Sequence, residues 1–389
     1  MNILQQHLAS KNWDAALACY DNLLKTHWDS NLAMSQTNVL INTGKVQQAF
    51  NLLETILTHD PTNTDALFSR DFYNLFTSPT AAWEPLLRTI GNRKLNLLQQ
   101  LLFLQFRLIY MWVSGKPTDD IHAVCDIADT LLRPWSGDII ARRQPANVSA
   151  MVAGNMFSLA SFLSTIRALN FIQDGNRQRK PQYPALVMMG DSHVLAPHGK
   201  LVMWEGTLHQ VQSEVITGIK AWHVAQPSRY QYAQYLFARI RHIPTPTPIV
   251  FSFGEIDCRY NQGIWPHIRK GQRISNILQN TFPPAITTLA PHLQDRSWGV
   301  AGIPAPHIDE VIKLPQPEWE SFGAMVAAAN TCYQQAVTSA GGTYVNLYAF
   351  TADEVGIRTP EWDLDRIHLK PATLGCALEG QATTSQTTA

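Results

Sequence analysis

From residue 185 onward the chain alternates short apolar runs, each ending at a glycine or a polar loop, with stretches of helical spacing. The runs occupy residues 185–189, 214–224, 248–253, 298–304 and 343–348, and helical spacing fills 267–293 and 318–340. A strand that is apolar at every position has to be buried on both faces. Parallel neighbours satisfy its backbone, and the helices that connect them cover the faces. The pattern predicts an α/β unit with a parallel sheet, in which reactive groups gather in loops at the C-terminal ends of the strands.

Residues 1–175 read differently. Helical apolar spacing recurs at 94–114, 119–132 and 147–170, and no strand-like run interrupts it. The first ninety residues also repeat. At an offset of 33, Trp13 matches Val46, Ala16 matches Ala49, Tyr20 matches Leu53, and Leu23-Leu24 matches Ile56-Leu57. A period near 34 with alanine at a helix contact resembles the tetratricopeptide repeats; an ordinary helical bundle is the other reading. Such hairpins bury their apolar faces only by stacking, so two units must lean on later helices. The polar, basic segment GNRQRKPQYP at 175–184 reads as a linker. The expected organisation is an all-α domain at 1–175, an α/β domain at 182–376 and a frayed tail at 377–389.

Thirty basic residues balance thirty acidic ones, so no large net field points to nucleic acid. The five cysteines are odd in number and widely spaced, which fits a reducing compartment better than a disulfide framework or a zinc site. The N-terminus lacks the pattern of a signal peptide, and no run is apolar for long enough to span a membrane. A cytoplasmic protein without a membrane span is expected.

The first strand ends in Gly190-Asp191-Ser192-His193. Glycine permits a sharp turn that exposes the Ser192 hydroxyl, although Ser192 could equally cap the next helix. Asp365-Arg366-Ile367-His368 follows the last strand. Asp and His three apart on one helical turn project to the same side. A carboxylate there can hold an imidazole tautomer, and the imidazole can deprotonate a serine.

GDSH, an apolar strand ending in Gly254-Glu255-Ile256-Asp257, the loop GIPAP at 302–306 and a terminal DRIHL together resemble the GDSL/SGNH hydrolase superfamily. The resemblance covers about 183–376 and implies a flavodoxin-like three-layer α/β/α fold. It implies Ser192 as nucleophile, His368 as general base and Asp365 as its orienter, with no cofactor or metal required. It also implies an oxyanion site built from the Ser192 N–H, a block-two glycine matched by Gly218, and a block-three asparagine. Here the chain departs, because the asparagine position holds Ile256, which cannot donate. Losing one such donor costs about 100- to 1,000-fold in rate. Arg259 and Asn261 are candidate replacements; Arg259 could instead pair with Glu255 or Asp257. Asp191 and His193 flank the nucleophile. His193 could face the pocket or pack on the next helix, His223 could touch substrate, and Trp222 could form a sugar-stacking wall or be an interior residue.

GDSH also resembles the opening element of metallophosphatases, but the further ligand motifs of that class are missing. A degenerate, glycan-binding scaffold is a rival from another class, favoured by Ile256 and disfavoured by the intact Ser, Asp and His set. Between esterase and O-acyltransferase the chain is nearly silent. The GEIDCR form of block three resembles SGNH-like domains of bacterial glycan-related proteins. A carbohydrate acceptor is expected, with acyl-CoA as a candidate acyl donor. The helical half would recruit a protein partner or a second copy.

Overall fold

The computed structural model describes residues 3–172 and 177–379. The first two residues of the expected linker and all but the first three of the expected tail lie outside them.

The N-terminal region is helical: α1 (Ile3–Ala9), α2 (Trp13–Thr26), α3 (Ser30–Asn42), α4 (Val46–His59), α5 (Thr64–Thr77), α6 (Trp83–Gly91), α7 (Leu97–Val113), α8 (Thr118–Leu132), α9 (Ser136–Ile140) and α10 (Ala150–Ile172). Trp13 and Val46 open α2 and α4, so the 33-residue offset falls on equivalent helix starts. Ala16, Ala49, Tyr20 and Leu53 are buried, but Leu23 is 40% exposed where its counterpart Ile56 is fully buried. Asp29 and Asn63 cap α3 and α5 by accepting from backbone N–H groups of the first turn. Asn96 and Gln99 form a reciprocal capping box at the start of α7. That helix is apolar nearly all round, and buries Leu101, Phe103, Leu104, Phe106, Leu108, Ile109 and Trp112. A helix of that kind has to lie inside the protein.

The α/β region runs β1 (Ala185–Gly190), β2 (Leu201–Trp204), β3 (Thr207–Val215), α11 (Ala221–Val224), α12 (Gln231–His242), β4 (Ile249–Ser252), α13 (Ile264–Ile268), α14 (Ile274–Gln279), α15 (Phe282–Leu289), β5 (Trp298–Ala301), α16 (Ile308–Val311), α17 (Trp319–Ser339), β6 (Thr343–Val345) and α18 (Leu347–Thr351). The strands form one sheet in the order β2-β3-β1-β4-β5-β6. All neighbours are parallel except β2, which pairs antiparallel with β3. The expected all-parallel sheet is therefore mixed.

Three further expectations are corrected. The second run begins at Thr207 and ends at Val215, and 221–224 is helix. A turn at Glu205 (φ +48°) and Gly206 (φ +78°) makes a hairpin with β2. The two positive φ values match the twist of hairpin strands. The stretch 267–293 is broken into α13, α14 and α15, with Gly271 at φ +80° in the first break. Ala377 and Leu378, assigned to the tail, are buried in a helical segment at 373–379.

Strand alternation sends Val187, Met189, Ile249, Phe251 and Val300 to one face, where they pack with α12, α15 and α17. It sends Leu186, Met188, Val211, Val250 and Val345 to the other, where they pack with α7, α10 and the 373–379 segment. The topology explains this division. The connections from β3 to β4, β5 and β6 all run the same way along the sheet, so right-handed crossovers put their helices on one face. Only the β1-to-β3 connection runs the opposite way, and it carries a hairpin strand instead of a long helix. Its face is covered from the N-terminal region, through Leu108, Ile109, Trp112, Leu159, Leu163 and Ile166. The change of sequence character at 175–182 is thus not accompanied by a division of the core.

Candidate active site

β1 reverses its neighbour relations at β4, the crevice at which open α/β sheets place their ligands. Gly190 ends β1 against Ser252 of β4, and a Cβ there would sit 1.8 Å from the Ser252 carbonyl oxygen. No other residue fits. The chain then enters a short 3-10 turn, Ser192–Leu195, capped by Asp191. Ser192 is half-buried at its first position. The backbone N–H groups of Ser192 and Gly218 donate to no backbone or side-chain acceptor among the described residues. Gly218 (φ +77°) lies in the loop after β3, at the same edge of the sheet.

His368 Nε2 lies 2.7 Å from Ser192 Oγ, across 176 positions of sequence. His368 Nδ1 lies 2.9 Å from Asp365 Oδ2 and 3.1 Å from Oδ1. The two residues do not share a helical turn, as their spacing led one to expect. Residues 364–367 form a bend, and Asp365 Oδ1 accepts from the backbone N–H groups of Ile367 (2.7 Å) and His368 (2.8 Å). The aspartate therefore shapes its own loop while presenting its second oxygen to the ring. Burial pushes the Asp365 carboxyl up, but the His368 ring and the two N–H groups outweigh it and hold the group well below the usual carboxylate range.

Arg358 fastens the same loop. It ion-pairs with Asp363 and donates to the carbonyl oxygens of Ile367 (2.9 Å) and Asp365 (3.3 Å). Sequence reading passed over Arg358 and also over Thr165 of α10, whose Oγ1 lies 2.9 Å from Asp365 Oδ2 and 3.2 Å from His368 Nδ1. Neither carries a local motif.

His193 Nδ1 lies 3.0 Å from Asp191 Oδ1, and its Nε2 lies 3.0 Å from the Ile367 carbonyl oxygen. Both partners are acceptors, so both ring nitrogens must carry protons. Burial disfavours that charge, but Asp191 raises the His193 pKa in spite of it. Asp191 is held low by its buried imidazolium partner, against the opposite effect of its own burial.

Arg259 spends its Nε and one terminal nitrogen on Glu255, at 2.7 to 3.0 Å. Asn261 is exposed in the following turn. Neither candidate donor makes a hydrogen bond to Ser192, His368 or Asp365. Asp257 accepts from the N–H groups of Ala221 and Trp222 at the start of α11, and burial pushes its carboxyl up to about 6. Ile256 is 9% exposed. Trp222 Nε1 reaches the Tyr230 hydroxyl at 3.4 Å. The His223 ring stacks on Tyr232 at 4.3 Å, and burial holds its pKa down to about 4. Asp191, His193 and Glu255 offer ligand atoms within 4.8 Å of one another. Each carboxylate there is already neutralised, by His193 and Arg259, so a metal ion would have to displace a bound cation.

The arrangement can move a proton from the Ser192 hydroxyl to an imidazole whose other nitrogen is fixed by a carboxylate. No helix among the described residues is long and apolar enough to cross a membrane. No family model matches the chain, and neither does any curated protein. Among solved structures it is similar to one from Streptococcus pneumonia described provisionally as a platelet activating factor, at 16% identity, over 56% of this chain and 90% of that one. The TM-score of 0.35 is too low for that likeness to carry an argument, and the chemistry rests on the site itself.

Proposed function

We propose that the chain is an SGNH-type serine esterase or O-acyltransferase with a flavodoxin-like α/β unit, acting on an acylated small molecule or glycan. The observation that carries the reading is the unbroken run Ser192–His368–Asp365, with contacts of 2.7 and 2.9 Å. Ser192 Oγ attacks the acyl carbonyl and its proton passes to His368 Nε2. The imidazolium returns that proton to the leaving atom, the oxygen of an ester or the sulfur of a thioester, and the departure of the alcohol or thiol leaves an acyl-serine. Water or an acceptor hydroxyl then attacks, gives its proton to His368, and Ser192 recovers it as the acyl group departs. The N–H groups of Ser192 and Gly218, which have no acceptor among the described residues, are the proposed oxyanion donors. His368 relays both protons in this scheme: the one that Ser192 gives to the leaving group and the one that the water or acceptor hydroxyl returns to Ser192. Acyl-CoA is the donor we propose for the transferase branch, and the tetratricopeptide-like helices at 1–175 the recruiting surface for a protein partner or second copy.

One observation favours the rival reading of a non-catalytic glycan-binding scaffold: Arg259 is tied to Glu255 and Asn261 is exposed, so neither supplies the donor that Ile256 lacks. A fluorophosphonate probe separates the two. Covalent labelling of the wild-type chain that disappears in Ser192→Ala and His368→Ala supports the enzyme. A folded wild-type chain that takes no label refutes it in favour of the scaffold.

A further inference from the structure

We propose that Thr165, on α10 of the helical half, is a positioning residue of the Ser192–His368–Asp365 site, which makes that half an integral part of the active centre. The inference rests on the reading of the site given above. Thr165 is 1% exposed and reaches the carboxylate across 200 positions of sequence.

Its hydroxyl has one proton and three neighbours: the Ser161 carbonyl oxygen one turn back (3.0 Å), Asp365 Oδ2 (2.9 Å) and His368 Nδ1 (3.2 Å). The Ser161 oxygen already serves the helical ladder, and a hydrogen bond to a carboxylate is the stronger of the two. The proton therefore belongs to Asp365. With its proton so directed, the Thr165 oxygen presents a lone pair to His368 Nδ1. The Nδ1–H then faces two acceptors, Asp365 and Thr165, and no donor. That arrangement holds the ring proton on Nδ1 and leaves the Nε2 lone pair for the Ser192 hydroxyl at 2.7 Å.

The fold explains why the residue comes from so far away. The connections of the sheet place α12, α15 and α17 on the opposite face, so the face beneath the His368 loop is packed by α10 and α7. Leu163, Ile166 and Leu169 of α10 are buried in that core and fix the rotation of the helix that aims Thr165 at Asp365. The other donors to the carboxylate among the described residues, the backbone N–H groups of Ile367 and His368 and the His368 ring, are local to the loop. Thr165 ties that loop to the rest of the molecule.

The experiment uses the full chain as wild type, Thr165→Ser and Thr165→Val. The first readout is the fluorophosphonate labelling rate from pH 5 to 9; the second is the proton resonance of His368 Nδ1–H. Thr165→Val should label about ten-fold more slowly, the cost of one hydrogen bond to a charged group, with a displaced Nδ1–H resonance, a lowered thermal midpoint and an unfolding transition that stays cooperative. Thr165→Ser keeps the hydroxyl and should restore the labelling rate and the resonance. Labelling and resonance in Thr165→Val that both match wild type overturn the proposal. A wild-type chain that takes no label overturns the enzymatic reading instead, and the Nδ1–H resonance then still decides whether Thr165 holds the ring.

Discussion

His193 Nε2 donates to the carbonyl oxygen of Ile367 at 3.0 Å, which joins the loop after β1 to the loop that carries His368. Its Nδ1 is bound to Asp191, so the link is a buried cation between two acceptors. Replacing it with alanine leaves Asp191 buried without its partner, and breaking such a pair costs roughly 3–5 kcal/mol. His193→Ala should unfold at markedly lower urea. The pH dependence follows from the raised pKa of His193. A raised value gives stability that is complete below the ordinary histidine value of about 6.5 and is lost as pH rises through the folded value. The gap in urea midpoint between wild type and His193→Ala should therefore narrow above neutrality. A gap that widens with pH would mean that His193 is neutral in the folded chain.

Asp365 works in the opposite sense. Its carboxyl is held low in the folded chain, so its contribution is present above the unfolded value of about 3.9 and is lost as pH falls. Asp365→Asn should be less stable than wild type at pH 7, and the two should converge in acid. The amide also presents a donor to His368 Nδ1 and so favours the wrong tautomer. Exchanging this carboxylate in a serine triad lowers the rate by about 10⁴-fold, and fluorophosphonate labelling of Asp365→Asn should fall by a comparable factor. Labelling within a few-fold of wild type would remove Asp365 from the chemistry.

The core of the site was legible because its residues sit in short, ordered signals. Gly190-Asp191-Ser192 stands at a strand end, and Asp365 and His368 are three apart after the last strand. The hairpin was also legible in principle. Glu205-Gly206 is a two-residue turn between the apolar runs LVMW and TLHQV, and beginning the second strand at Glu214 overlooked it. Thr165 was not legible. A threonine inside an apolar helix has no local mark, and its role exists only because α10 covers the face that the sheet's own connections leave bare. The helical stretch expected at 267–293 is helical but interrupted, for a local reason: Gly271 adopts a positive φ, and Pro283 and Pro284 suit the start of α15 better than its interior.

Gly218 is the point at which stability and rate can be separated. A Cβ there would meet the Tyr232 hydroxyl at 3.5 Å, an ordinary contact, so space is no obstacle. The obstacle is φ +77°. A side chain in that region costs about 1–2 kcal/mol, so Gly218→Ala should lose about that much stability. If the Gly218 N–H faces the oxyanion, relaxation of the loop should also slow labelling by more than ten-fold while the fold remains cooperative. A variant that loses stability but labels at the wild-type rate would exclude Gly218 as a donor.

Arg239 is the joint between the helical stack and the sheet, and its loss should be felt in both. The side chain is fully buried. It donates to the carbonyl oxygens of Leu75 (3.1 Å) and Phe76 (2.9 Å) at the end of α5, to that of Val215 (2.9 Å) at the end of β3, and to Glu214 (3.0 Å). A cation there satisfies the last carbonyls of α5 and complements its dipole. The guanidinium also lies 5.1 Å from the Trp83 ring. Arg239→Met keeps much of the volume but removes every donor at once, leaving the Glu214 carboxylate, among the described residues, with the Thr80 N–H and hydroxyl. Breaking a buried charge pair in this way costs roughly 3–5 kcal/mol. The expected result is a large drop in the urea midpoint, together with faster hydrogen exchange in both α5 and β3. Exchange that quickens in α5 alone would mean that Arg239 caps the helix without coupling it to the sheet.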